Sequence, residues 1–364
     1  MVKIACTGGG TGGHIYPGLA VVSCLKEIIS PQIFWIGAKT GMDRSIIEKA
    51  GIPFMGIPAG KLRRYFSLRN MADLFKVAAG FLAARRILKR EKPDLLFSKG
   101  GFVSVPPCAA AYSLGIPVFT HESDFSPGLA TRINCRFAHT IFTAYAETIP
   151  MIAPAYRDKA VVAGNPVRRE FRTADAGRGR AFLGIGGDRP VLLVLGGSQG
   201  ALEINELVKK CLPSLTETFT VVHQTGSSWD GAPGGSEWYK PHAYIGEEMP
   251  DVLAAADLVL GRSGAGTVWE CATEGKPMVL IPLRGSGTRG DQVENAEVFR
   301  KAGAALVLDG GDINEKKLES LLLNLGRDTE KLHSMAAASA AMGRTDAARI
   351  VSDAIADFLR STKK

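Results

Sequence analysis

Several absences narrow what this chain does. Its six cysteines (Cys6, Cys24, Cys108, Cys135, Cys211 and Cys271) include no C-x-x-C pair. This speaks against a zinc site and fits a reducing compartment. The opening "MVKIACTGGG" has no signal-peptide core, because its first apolar run stops at the glycines, so the protein is expected to stay on the cytoplasmic side. Nothing charged lies between Lys99 and Glu122, yet Pro106, Pro107 and Pro117 interrupt that stretch and Gly100, Gly101 and Gly115 punctuate it. A spanning helix needs about 20 mostly apolar residues in one piece, so the stretch reads as glycine turn, buried helix and short strand.

Acids are scarce in one segment. From Lys61 to Lys92 only Asp73 and Glu91 stand against ten lysines and arginines, an excess as large as the whole chain's net charge of +8. Leu62, Tyr65, Phe66, Leu68, Leu74, Phe75, Phe81 and Leu82 are interleaved with them. Basic plus apolar residues on loop and helix suit an anionic lipid surface. A solvated helix whose apolar stripe is core fits the same pattern. Nucleic acid is not expected, since no stacking or base-reading motif accompanies the charges.

What is present is an α/β rhythm. With 364 residues the chain exceeds one ordinary core, so two domains are expected. The strands "VKIACTG", "QIFWIGA", "PDLLFSKGG", "IPVFTHE" and "HTIFTA" alternate with helical stretches, including a long one over about 68–90. The rhythm restarts at "DRPVLLVLGGSQGALEINELVKKCL" and continues through "FTVVHQTG", "DLVLGRSG" and "KPMVLIPL". Alternation of this kind predicts parallel sheets. The expected architecture is two Rossmann-like domains, 1–163 and 164–340, facing across a cleft. An amphipathic C-terminal helix within 341–364 is placed to pack back on the first domain. Ligands of such sheets sit beyond the carboxyl ends of the strands.

The glycine turns fall at those ends. Gly8, Gly10 and Gly13 satisfy the dinucleotide spacing G-x-G-x-x-G. That fingerprint also needs an acid about 20 residues on, and after "WIGAKTG" the next acid is Asp43. A P-loop would need a Lys-Ser/Thr pair after its last glycine, where "GGTGGHI" has His14 and Ile15. What remains is a turn on a helix N-terminus, suited to negative charge or a close-packed sugar, or simply a tight turn. His14 opens that helix. The helix dipole disfavours its cation, which suits a general base; a capping or packing role is the alternative. "HESD" sets His121, Glu122 and Asp124 after another strand, and a carboxylate there suits a base or a partner for sugar hydroxyls. "GRSGAGTVWE" (261–270) starts a helix whose N–H groups can bind a diphosphate, with Glu270 placed to accept from ribose hydroxyls. "GGSQGA" adds Ser198 and Gln199, and "RGDQVENA" adds Asp291, Gln292 and Asn295. No D-x-D triplet occurs, so no metal is expected, and neutralisation falls to helix ends and to cations such as Arg168.

As a set, "GGTGGHIYPGLA", "KGGFVSVP", "HES", "GNPVR", "GGSQGA", "RSGAGTVWE" and "DQVENA" resemble the MurG family. These are the undecaprenyl-diphospho-muramoylpentapeptide β-N-acetylglucosaminyltransferases of bacterial peptidoglycan synthesis. The resemblance runs in order from about residue 3 to residue 304. It implies a GT-B fold and inverting transfer of N-acetylglucosamine from UDP-GlcNAc to the muramoyl 4-hydroxyl of lipid I, giving lipid II, with no cofactor. It also implies a peripheral protein on the cytoplasmic face of the inner membrane, open to association with cell-wall synthesis complexes. Carried over by position, Thr11, Gly12 and Gly13 match the donor-binding loop, and Arg168 and Ser198 match donor contacts. Ile245 matches a residue whose backbone reads uracil. Ala265, Gly266, Thr267, Val268, Trp269 and Glu270 match the diphosphate and ribose loop, and Gln292 a glutamine near the sugar. His14 matches a proposed base, with Glu122 as second candidate. The family often has "HEQN" where this chain has "HESD", so Asp124 stands where an asparagine donor contact is expected. A different UDP-sugar transferase or an epimerase of the same fold would share the second-domain loops.

Overall fold

A computed structural model describes residues 2–10, 12–41, 43–60, 68–197, 200–285 and 289–362, with the side chains of 68–72 excepted. The chain divides into two compact units, 1–168 with 346–364, and 169–345.

The first unit is built on a parallel sheet of seven strands: β1 Lys3–Thr7, β2 Gln32–Ala38, β3 Phe54–Ile57, β4 Leu95–Ser98, β5 Val118–Glu122, β6 Thr140–Thr143 and β7 Ala160–Val162. They lie in the order β3-β2-β1-β4-β5-β6-β7. Alternate residues of one strand feed different cores, as a period of two requires when both faces are covered. Ile4 and Cys6 join Trp35, Phe97 and Phe119 on one face. Ala5 joins Phe34, Ile36 and Leu96 on the other.

The helix Gly12–Ile29 lies tight on the first of these faces. A Cβ at Gly18 would sit 2.5 Å from the Trp35 ring. The helix Ala347–Ser361 covers the same face. Its Val351, Ile355 and Leu359, spaced four apart, are buried in that cluster. Its Ser352 Oγ donates to Val21 O at 3.2 Å. Asp346 caps it by accepting from Arg349 N.

The second unit carries six parallel strands: β8 Val191–Leu195, β9 Thr220–Gln224, β10 Tyr239–His242, β11 Leu258–Gly261, β12 Met278–Leu280 and β13 Ala305–Val307. Their order is β10-β9-β8-β11-β12-β13. Each sheet therefore reverses direction beside its first strand, at β1/β4 and at β8/β11. Open α/β sheets bind ligands at such switch points, outside the carboxyl ends of the strands.

The four strands that the sequence pattern does not mark are β3, β7, β10 and β13. They are the outer strands of the two sheets. Each has only three or four residues, and β10 contains Pro241, which an edge tolerates.

The chain divides after Arg168, not after Ala163. "GNPVR" stays with the first unit because His121 Nε2 meets Gly164 O at 2.8 Å and Ser123 Oγ donates to Asn165 Oδ1 at 2.8 Å. The second division falls after Thr345, where the Asp346-capped helix returns to the first unit.

Candidate functional site

The switch point of the first unit gathers the turns after β1, β4 and β5. The glycine turn after β1 is buttressed from three sides. Trp35 Nε1 donates to Gly8 O at 3.0 Å. The Asp43 carboxylate accepts from Gly10 N at 3.0 and 3.2 Å. A Cβ at Gly10, where φ is +87°, would lie 2.6 Å from the Phe102 ring. Asp43 is thus committed to the loop backbone, and burial raises its carboxyl above the usual range.

His14 sits in the first turn of the helix that follows, half-buried. Its ring lies against Gly101 of the turn after β4. A Cβ there would stand 2.9 Å from His14 Cδ2, and Gly101 has φ +77°, so that position is closed to a side chain on two counts. Gly12 and Gly13 precede it in the same turn, and Thr11 lies outside the described residues. Two residues on, the Tyr16 ring carries the Arg168 guanidinium at 4.9 Å. Tyr16 thus orients Arg168, a role sequence reasoning did not assign.

"HESD" divides its labour. His121 and Glu122 belong to the end of β5 and are 0% and 4% exposed. Because Gly164 O can only accept, His121 Nε2 carries the hydrogen. Burial, and then Lys99, hold its imidazole well below its ordinary pKa, so it stays neutral. Glu122 accepts from Ser123 N at 2.9 Å, Asp124 N at 3.1 Å and Gly128 N at 2.9 Å. Both oxygens are engaged by backbone donors, so Glu122 fastens the loop. Asp124 stands half-buried farther along the loop.

At the second switch point, β11 ends at Gly261 and a helix runs over Ala265–Thr273. Its N-cap is Gly264, extended at φ −64° and ψ 139°, with no side-chain cap. The first N–H groups of a helix have no intrahelical acceptor and carry the positive end of its dipole. A Cβ at Gly264 or at Gly266 would touch nothing within 4 Å, so these glycines keep the surface clear for a ligand. Val268 and Trp269 turn inward instead, 0% and 6% exposed, with Trp269 edge-on to Phe299. Their side chains are core, so of that loop's six residues these two can offer only backbone. Glu270 returns to the half-exposed side one turn later.

Supporting contacts fix the surrounding turns. Ser263 Oγ donates to Gln292 O at 2.7 Å, and Leu283 N donates to Gln292 Oε1 at 3.0 Å. That leaves the Gln292 amide nitrogen as its remaining polar handle. Gln224, at the end of β9, bridges Gly197 O at 3.1 Å and Ile245 N at 2.9 Å. Ser198 and Gln199 lie outside the described residues.

The basic helix forms over Leu68–Glu91. Residues 68–72 supply no described side chains, and 61–67 lie outside the described residues. Ala84 and Leu88 are buried beneath it, so part of its apolar stripe is core. Leu74, Phe75 and Leu82 are 60%, 73% and 61% exposed. An open apolar groove of about 420 Å³, lined by Leu74, Phe81, Leu82 and Pro106 among others, lies alongside. Lys76, Arg85, Arg86, Lys89, Arg90 and Lys92 are all exposed. Among the described residues no helix is long and apolar enough to cross a membrane.

Known proteins share this arrangement. Residues 4–143 match the glycosyltransferase family 28 N-terminal domain, and 191–351 match its C-terminal domain. The chain is 47% identical to the UDP-N-acetylglucosamine–N-acetylmuramyl-(pentapeptide) pyrophosphoryl-undecaprenol N-acetylglucosamine transferase of Treponema denticola, over 99% of both chains. It is 46% identical to the enzyme of that name from Treponema pallidum, over 98% of this chain and 96% of that one. Among solved structures, Acinetobacter baumannii MurG superposes with a TM-score of 0.74 at 27% identity, over 98% of this chain and 100% of that one.

Proposed function

The chain belongs to glycosyltransferase family 28 and, within it, to the pyrophosphoryl-undecaprenol N-acetylglucosamine transferases, and from that premise we propose how its residues divide the work. The enzyme transfers N-acetylglucosamine from its UDP donor to a lipid-linked N-acetylmuramyl-pentapeptide in peptidoglycan synthesis.

The donor's diphosphate sits on the N–H groups of the helix Ala265–Thr273, and its ribose on Glu270. The start of that helix, behind the clear surface at Gly264 and Gly266, carries this reading. Ile245 faces the uracil through its backbone, Gln292 faces the sugar, and Ser198 completes the donor turn. Arg168, held over Tyr16, adds a cation for the departing UDP. Gly12, Gly13 and Thr11 let sugars approach the first unit's backbone closely.

The chemistry is a single displacement. The muramoyl 4-hydroxyl oxygen attacks the anomeric carbon, and the bond from that carbon to UDP breaks. UDP leaves with the bonding pair, and the hydroxyl proton passes to the His14 imidazole. The configuration inverts. Labelled N-acetylglucosamine supplied as its UDP derivative should appear on a lipid I analogue in β linkage; an α-linked product would overturn the displacement.

The helix Leu68–Glu91 docks on the anionic cytoplasmic face of the membrane, its basic side chains on headgroups and Leu74, Phe75 and Leu82 in the interface. A lysine or arginine near such a surface contributes about 1 kcal/mol. Reversing Arg85, Arg86, Lys89 and Arg90 to Glu should weaken binding to phosphatidylglycerol vesicles more than about tenfold, and unchanged binding would sink the docking.

A further inference from the structure

In the second unit one side chain ties the donor-side turns together. Gln224 closes β9 and is 4% exposed. Its amide works in two directions. Oε1 accepts from Ile245 N at 2.9 Å, in the loop after β10, and Nε2 donates to Gly197 O at 3.1 Å, in the turn after β8. β10, β9 and β8 are neighbours in the sheet, so the bridge spans the carboxyl ends of adjacent strands. Only a primary amide can make it, because one end must accept and the other donate. A carboxylate of the same length would lose the donor, and a thioether would lose both.

The backbone beneath Gln224 is held firmly. A chain of buried polar groups ends on the next residue. Asn205 Nδ2 donates to Thr225 O at 2.8 Å, which leaves Asn205 Oδ1 to accept from His223 Nε2 at 3.1 Å. His223 Nδ1 then accepts from Tyr239 Oη at 3.2 Å. Burial holds the His223 imidazole down at about 4, so it is uncharged at neutral pH and the chain keeps one polarity. On the other side the turn after β8 lies directly on this backbone: a Cβ at Gly200 would meet Thr225 O at 2.1 Å.

We propose that Gln224 is a positioning residue for recognition of the donor's base: it fixes the Ile245 backbone against the turn after β8 and so sets where the base is read. This rests on the reading that Ile245 faces the uracil. With its N–H given to Gln224, Ile245 has its carbonyl to meet the base. A carbonyl only accepts. Uracil carries a hydrogen on N3 and cytosine does not, so a carbonyl held at that place favours UDP over CDP.

The test compares UDP with CDP as competitive inhibitors of transfer to a lipid I analogue, using the full chain as wild type, Gln224→Met and Gln224→Asn. Wild type should hold UDP at least about tenfold tighter than CDP, since with cytosine two acceptors would face each other. Gln224→Met keeps the approximate volume and loses both hydrogen bonds. It should raise KM for the UDP donor at least about fivefold with kcat within about threefold, the mark of lost binding. It should also cut the preference for UDP over CDP at least about threefold. Gln224→Asn keeps the amide but is one methylene too short to span both partners, and should shift the same quantities in the same direction. The preference is a ratio of affinities, so a partly misfolded variant still reports it. A preference that both variants keep overturns the positioning, even where KM rises. If wild type itself holds UDP and CDP alike, the base is not read at Ile245, and the proposal falls with that reading.

Discussion

The two switch points differ in how many of their glycines are walled in. After β1 and β4 the glycines are walled in: Gly8 by Lys99, Gly9 by the Asp43 carboxylate, Gly10 by Phe102 and Gly101 by His14. After β8 and β11 the pattern is mixed: a Cβ at Gly196 would stand 2.3 Å from Ala201 N and one at Gly200 2.1 Å from Thr225 O, but nothing lies within 4 Å of a Cβ built at Gly197, Gly264 or Gly266. In the first unit glycine lets side chains pack against the backbone, which makes a stiff mount for His14. In the second, at Gly197, Gly264 and Gly266, it leaves the space beside the backbone open. One composition serves positioning in one place and access in the other.

The largest effect that separates the two is kinetic. His14→Ala removes the proposed proton acceptor and should lower kcat by about 10²–10⁴, with KM for the UDP donor little changed. Glu270→Ala removes the proposed charged hydrogen bond to the ribose, in the range of about 1.5–3 kcal/mol. It should raise that KM at least about tenfold while kcat holds within about threefold. Steady-state kinetics on a lipid I analogue check both. If His14→Ala moves KM and spares kcat, the first unit's mount is not the catalytic one.

That contrast is only partly legible in the sequence. The strand–helix rhythm shows because inner strands such as "VLLVL" are continuous apolar runs, and buried parallel strands must be. The helix Ala347–Ser361 shows through its apolar residues four apart. The outer strands do not show. "AVV" and "ALV" are too short to carry a period, and "YKPH" carries a proline.

At the site, motif spacing marks His14 and Glu270 because each is local to its own glycine turn. The buttresses are not local. Trp35, Asp43 and Phe102 reach the first glycine turn from three other segments, and Asp43 reads in sequence only as an acid in the wrong place for a ribose. Glu122 reads as a free carboxylate because its partners are backbone N–H groups, which leave no mark in a sequence. The burial of Lys99 leaves no mark in the sequence either, since lysines are usually exposed.

The smallest effect tests the contrast between the glycines most directly. Gly101→Ala would put a Cβ 2.9 Å from His14 Cδ2 and 2.8 Å from Gly9 O at φ +77°. Strain of that kind is in the range of about 1–3 kcal/mol, so a thermal or denaturant melt should show destabilisation together with lost turnover. Gly266 lies in the first turn of its helix with no positive φ and nothing beside it. Gly266→Ala should leave stability within about 0.5 kcal/mol of wild type or raise it slightly, since alanine is the better helix former. Its added methyl would stand where the diphosphate approaches, so the cost should appear as weaker UDP binding by calorimetry. Equal destabilisation by the two substitutions would show that the glycines of both units do the same job. Unaltered UDP binding in Gly266→Ala would show that the clear surface at the head of this helix is not where the diphosphate lies.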